Sequence, residues 1–155
     1  MSDSPAPAEA LSRLIIDTLA LHRSLRCGGT GRARTLVIWI TDAQTLARSA
    51  VEILLELTQA RPHTTDEDLL LLERLAQIAK AAQDTGAELT AALARAVENQ
   101  RRCAAASSGP VVVLGPSPQQ LIASAADILG RIPALCHAIH REQLVPPTHH
   151  AHQPR

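Results

Sequence analysis

The sequence predicts an all-α protein folded as a four-helix bundle. Of its 155 residues, 27 are Ala and 22 are Leu, two of the strongest helix formers. Trp39 is the only aromatic residue, with no Phe or Tyr, whereas sheets depend on aromatic and β-branched side chains. Apolar residues also recur every three or four positions in four segments, which is the period of an amphipathic helix. The length suits one domain, which we place at 9–145.

The first helix is predicted over 9–26, after an N-terminal stretch, 1–8, that is rich in Ser, Pro and Ala and is expected to be disordered. Leu11, Leu14, Leu21 and Leu25 form one stripe at helical spacing. Gly28 follows the last turn, where glycine commonly ends a helix.

The second helix is predicted over 34–60, on a heptad that begins at Leu36 and places small or apolar residues along one face. The run Thr35–Ile40 is rich in β-preferring residues, so an extended segment before a helix from Asp42 is the alternative. The heptad already includes Leu36, which favours the longer helix. Pro62 restricts Arg61 and closes the segment.

The third helix is predicted over 65–105, with Thr64 and Glu67 in a capping-box pattern at its start. The only breaker inside it is Gly86, so the helix is either continuous over about 60 Å or broken near Asp84–Gly86. The following linker contains an apolar run at 111–114. That run is either a short strand, paired with Thr35–Ile40, or an extended strap over the bundle.

The fourth helix is predicted over 118–144. Ser117, Pro118 and Gln120 supply a cap, a first-turn proline and a capping partner. Its apolar register continues past Pro133, which predicts one helix kinked near Gly130–Pro133 rather than two helices. A flexible tail rich in His and Pro, 146–155, completes the chain.

Bulk composition excludes several classes of protein. The formal charge is zero. Because nucleic-acid binding depends on positive charge, we do not expect a nucleic-acid partner. The longest uncharged stretch, 103–126, is interrupted by Gly and Pro, so no membrane segment is expected. Three cysteines in no recognisable spacing indicate reduced thiols in a cytoplasm. The almost exclusive use of Arg over Lys suggests a GC-rich, bacterial gene.

A metal site would draw on the His and Cys residues, which are preferred ligands of zinc. Cys136 and His140 share a helix face, but His137 lies about 100° around that helix. His22 completes such a site only if the first and fourth helices are neighbours. Surface or partly buried histidines are the favoured alternative, and we expect no cofactor.

Four arginines surround the glycine-rich connector between the first two helices: Arg23, Arg26, Arg32 and Arg34. Arginines beside the amides of a glycine loop are able to bind an anion. The alternative is that they complement the negative end of a helix dipole.

Leucines concentrate on both sides of the turn between the second and third helices, at Leu54, Leu55, Leu69, Leu70, Leu71 and Leu72. Four consecutive leucines cover every side of a helical turn, so one core is unable to bury them all. Either they form an interface with another copy or another protein, or the strap at 111–114 or the Trp39 region covers them.

These observations predict a non-catalytic bundle that acts through protein contacts, as a homodimeric regulatory or accessory factor. The competing hypothesis is a small-molecule- or metal-binding bundle, or an enzyme, with a pocket lined by histidines such as His22 and His137 and by Arg32 or Arg34. No nucleophile–base arrangement is visible in the sequence.

Overall fold

The computed structural model describes residues 6–28, 32–60, 65–106, 109–110 and 114–144. Nearly all of the described residues are helical, and none of them forms a strand, which confirms the predicted all-α bundle. The helices are α1 (Pro7–Cys27), α2 (Ala33–Ala60), α3 (Asp66–Ala105), α4 (Pro118–Leu129) and α5 (Ile132–Leu144).

The starts of α1 and α2 follow local chemistry. Pro7 occupies the first position of α1, two residues before the predicted start, and the Ala6 carbonyl accepts from the N–H groups of Glu9 and Ala10. Proline is favoured there because the first N–H of a helix has no partner within it. Residues 35–40 lie inside α2. The longer second helix is therefore confirmed, and the extended alternative, with its strand pairing to 111–114, is wrong.

The third helix is continuous over 40 residues and passes through Gly86 without a break. The Thr65 hydroxyl accepts from the Asp68 N–H at 3.2 Å, so Thr65 is the N-terminal cap. Gly86 is buried within the helix. A single glycine weakens a helix by about 1 kcal/mol, and burial between neighbours compensates for that here.

The four predicted helical segments are confirmed, but the fourth is divided into α4 and α5 by a break at Gly130–Arg131, inside the region predicted to kink. Ser117 and Gln120 form the expected capping box at the start of α4. After Leu129 the Arg131 N–H donates to the Ile128 carbonyl, a tighter turn than an α-helix makes. Pro133 has no N–H to offer, so the hydrogen-bond ladder of α4 does not continue into α5.

The helices form a ring in which α1 packs on α2, α2 on α3, and α3 on α4 and α5, which in turn pack on α1. Each helix runs antiparallel to its neighbours, as short connections require. The closest approach joins α2 and α3, where Ala43 lies opposite Gly86. The core inside the ring of helices consists of fully buried Leu, Ile and Ala residues, including Leu36, Leu75, Ile78, Leu89, Leu129 and Ile132.

The predicted strap lies mainly outside the described residues, which include only Leu114 of that run. Leu114 is 70% exposed, and its carbonyl accepts from Arg95 Nη1 at 2.6 Å. The predicted disordered residues 1–5 and the tail 146–155 also lie outside the described part of the chain.

Candidate interaction surface

The structure divides the six predicted interface leucines between core and surface. Leu55 and Leu69 are each 53% exposed, and Leu70 is also exposed. Leu54 and Leu71 are partly buried and pack against the core, while Leu72 is half-buried. Only three of the six are exposed, so these leucines alone do not define an interface.

A longer surface becomes visible when exposure is followed along α2 and α3. On α2, Val37, Gln44 and Val51 are exposed at intervals of seven, and Leu55 follows one turn later. Such spacing keeps side chains on one face of a helix. These residues lie on the outside of the bundle, on the half of that face nearer α3.

The facing strip of α3 repeats the same interval over five positions: Leu69, Ala76, Gln83, Thr90 and Val97, all exposed. We call the two strips together the α2–α3 outer face. It contains half of the large apolar side chains that the described residues expose. The sequence signal that finds it is this seven-residue spacing outside the buried heptad.

The centre of the outer face is built from small and amide side chains. A Cβ placed on Gly86 would lie 3.7 Å from the Cβ of Ala43, so the backbones of α2 and α3 approach closely there. A shallow groove of about 260 Å³ follows this contact and is lined by Gln44, Ala47, Ala82, Gln83, Gly86, Ala87 and Thr90. The middle of the face is therefore low, while its larger apolar side chains lie towards its two ends.

Charge is distributed unequally along the same two helices. Near the α2–α3 turn the exposed charged residues are acidic, at Glu52, Glu56, Asp66, Glu67 and Glu73, and the exposed Arg48 lies one turn before Glu52. Near the opposite end they are basic: Arg32, Arg34, Arg101 and Arg102. Arg102 pairs with Glu98 at 2.7 Å, and the described charges still differ in sign between the two ends.

The candidate metal ligands do not converge. His22 lies beside the α4–α5 turn, with its Nε2 3.5 Å from a Cβ placed on Gly130, so α1 does neighbour that helix pair. Cys136 is fully buried, and burial raises the pKa of its thiol to about 11, which keeps it protonated and a poor ligand. His137 is exposed and His140 half-buried. The described residues contain no group of three potential ligands.

Of the predicted arginine cluster, Arg26 forms an ion pair within the bundle, while the other three side chains are exposed. Arg26 Nη2 lies 2.9 Å from the Asp127 carboxylate, which ties the end of α1 to α4. Arg23, Arg32 and Arg34 are exposed. The glycine loop itself, 29–31, lies outside the described residues.

Two further grooves lie away from the outer face and contain charged side chains. The larger, about 1000 Å³, lies between α3 and the α4–α5 turn and contains Arg131 and the Lys80–Asp84 ion pair. The histidines proposed for a pocket do not line it. A smaller groove of about 360 Å³ separates α1 from α2 and contains Asp17 and Asp42. Burial and the neighbouring Asp17 carboxylate raise the pKa of Asp42.

Comparisons of the chain with family models, curated proteins and solved structures find no match. Within the described residues, the segment Pro118–Glu142 has the length and apolar composition of a membrane-crossing helix. A third of its most apolar stretch is buried inside the bundle, and the α4–α5 turn interrupts it.

Proposed function

We propose that this chain is a non-catalytic protein that acts through protein–protein contacts made by the α2–α3 outer face. The observation that supports the proposal is the alignment of Val37, Val51 and Leu55 with Leu69 and Val97 on one side of the bundle. Exposed apolar residues that are grouped on one face mark interaction sites, whereas isolated ones are ordinary. Here they form two groups, one near each end of the face, with smaller side chains between them.

Covering this face contributes to the free energy of association. Full burial of a Val or Leu side chain contributes about 1.5–3 kcal/mol, and about half of each of these five side chains is still exposed. Association itself costs several kcal/mol in lost freedom of motion. The face therefore supports specific binding if all five side chains are covered together, which requires a partner that spans both helices.

A regulatory or accessory role, in the cytoplasm, agrees with this mode of action. Among the described residues, no three His, Cys, Asp or Glu side chains are grouped so that they could hold a metal ion. The Cys136 thiol is held neutral, and the ligand candidates on α1 and α5 point to no common centre.

Site-specific photo-crosslinking in the organism that supplies the gene tests the proposal. A benzophenone amino acid at Val51 should form a covalent protein adduct on irradiation. The same group at Ile16, which is 65% exposed on the outside of α1, serves as the matched control. Absence of any protein adduct at Val51, or equal adducts at both positions, would contradict the proposed function.

A ligand-binding role is the second candidate, and the groove between α3 and the α4–α5 turn is the observation in its favour. Arg131 and Lys80 offer cations beside the apolar side chains of Ile128 and Leu135. A thermal-shift titration with inorganic phosphate and simple carboxylates, compared between the wild type and Arg131→Ala, checks it. A shift that Arg131→Ala abolishes would favour this role.

A further inference from the structure

We infer that the partner of the α2–α3 outer face is a second copy of this chain, lying antiparallel on the first. This inference rests on the proposed function and adds the identity and orientation of the partner. In this arrangement α2 lies over α2 of the partner and α3 over α3 of the partner. The twofold axis lies in the interface, perpendicular to the helices.

The spacing of side chains along each helix supports this orientation. On α2, Val37 and Val51 are each seven residues from Gln44, or about 10 Å along the helix. On α3, Leu69 and Val97 are each fourteen residues from Gln83, or about 21 Å. In an antiparallel dimer, Val37 therefore meets Val51 of the second copy, and Leu69 meets Val97 of the second copy.

The two centres of symmetry lie at nearly the same height in the bundle, about 3 Å apart along its length. Gln44 follows Ala43, which lies opposite Gly86, and Gln83 is one helical turn from Gly86. Gln44 and Gln83 also line the same groove. One axis is therefore able to relate both helices at once, which an isologous interface requires.

Charge selects the antiparallel orientation over the parallel one. Antiparallel copies bring the acidic end, with Glu52, Glu56 and Glu73, against the basic end of the partner, with Arg34 and Arg101. Parallel copies would place acid against acid and base against base. Such complementarity determines orientation and partner choice more than raw affinity.

The dimensions of the face fit a stable dimer. The 28 residues of α2 extend about 42 Å, and two adjacent helices are about 20 Å wide. The outline of the face is therefore about 800 Å², and a standard protein interface covers about that much surface on each partner.

Light scattering on the purified full chain is the first measurement. The expected mass is about 33 kDa, twice the 16.5 kDa of one chain. Val51→Glu combined with Leu69→Glu should raise the dissociation constant at least about tenfold, since both side chains lie in the covered area. Ile16→Glu, on α1, should leave it unchanged. A monomer at every concentration tested would overturn the inference.

Cross-linking with a short bis-maleimide then tests the orientation. The background carries Cys27→Ser and Cys103→Ser, because both thiols are exposed, and it retains the buried Cys136. Gln44→Cys and Gln83→Cys should each link to themselves, since each lies at the axis. Val51→Cys should not link to itself, but it should link to Val37→Cys when the two variants are mixed.

The alternatives give different patterns. A parallel dimer with α2 over α3 of the partner would link Gln44→Cys to Gln83→Cys, and neither of them to itself, which would overturn the orientation. Photo-crosslinked adducts at Val51 with masses other than twice the chain would overturn the self-association and leave the proposed function standing. Absence of any adduct would overturn both.

Discussion

Helix α2 has two neighbours, α3 and α1, and the two contacts are built from different residues. Towards α3 it presents Ala43 and Ala47, and the backbones approach closely at Gly86. Towards α1 it presents Asp42 and Thr45, and a groove containing Asp17 lies between the helices. Only near the end of α1 does the second contact become tight, where Trp39 packs against Gly28.

The difference shows how side-chain size and charge set the distance between helices with similar apolar cores. Small residues let α2 and α3 pack closely along their contact. At the α1–α2 contact, Asp17 and Asp42 line a groove instead. The closely packed α2–α3 pair is the part of the bundle best suited to present a binding surface.

The largest effect is expected when the close α2–α3 contact is overfilled. Ala43→Leu adds three carbon atoms at a fully buried position that faces Gly86, and we expect a loss of about 3 kcal/mol in unfolding free energy. Ala91→Leu, an exposed position on α3, is the control and should change stability little. Urea unfolding followed by circular dichroism measures both. Equal effects would mean that the contact is not close.

A smaller effect is expected from Gly28→Ala at the tight end of the α1–α2 contact. A Cβ there would come within 2.6 Å of the Ser24 carbonyl oxygen and still closer to the Trp39 ring. We expect a loss of about 2 kcal/mol and a change in fluorescence, because Trp39 is the only tryptophan. Unchanged emission together with unchanged stability would contradict the described packing.

Gly86→Ala should act in the opposite direction. The added Cβ meets only the Ala43 Cβ, at an ordinary contact distance of 3.7 Å. Since alanine favours the helix over glycine by about 1 kcal/mol, we expect a stability gain of that size in thermal unfolding. A loss instead would show that α2 and α3 already touch more closely than this distance.

The smallest effect concerns the acidic side of α2. The pKa of Asp42 is raised in the folded chain, so its contribution to stability is lost as the pH rises through that pKa. Asp42→Asn should therefore stabilise the chain slightly at pH 7 and not at about pH 3, where the carboxyl group is protonated. Asp17→Asn should lower the pKa of Asp42, measured by NMR titration. An unchanged Asp42 pKa would exclude the neighbouring charge as a cause.

Local signals were sufficient to predict most of the fold. The cap at Ser117 and the heptad from Leu36 indicate where helices begin and which sides they bury, because both depend only on nearby residues. At the start of α3 the predicted capping pair was Thr64 and Glu67, whereas the cap in the structure is Thr65. The division at Gly130–Arg131 was predicted only as a kink. Whether a helix bends or stops before Pro133 depends on how the next turn packs against α1 and α3.

The candidate surface was predicted only in part. The leucine run indicated that some apolar side chains stay exposed, and Leu55, Leu69 and Leu70 do. It did not indicate that Val37 and Val97, far away in sequence, share a face with Leu55 and Leu69. That alignment depends on the height at which α2 and α3 pair, which Ala43 and Gly86 determine through their packing.

The turn at Gly130–Arg131 has a consequence for how the protein opens. Because the hydrogen-bond ladder stops there, unwinding that starts near Leu144 meets a natural boundary before α4. We expect α5 to exchange its amide hydrogens as a separate unit, faster than α4 and the other helices. The α4–α5 segment is thus expected to unfold in two steps, with α5 opening before α4, while α2 and α3 remain folded.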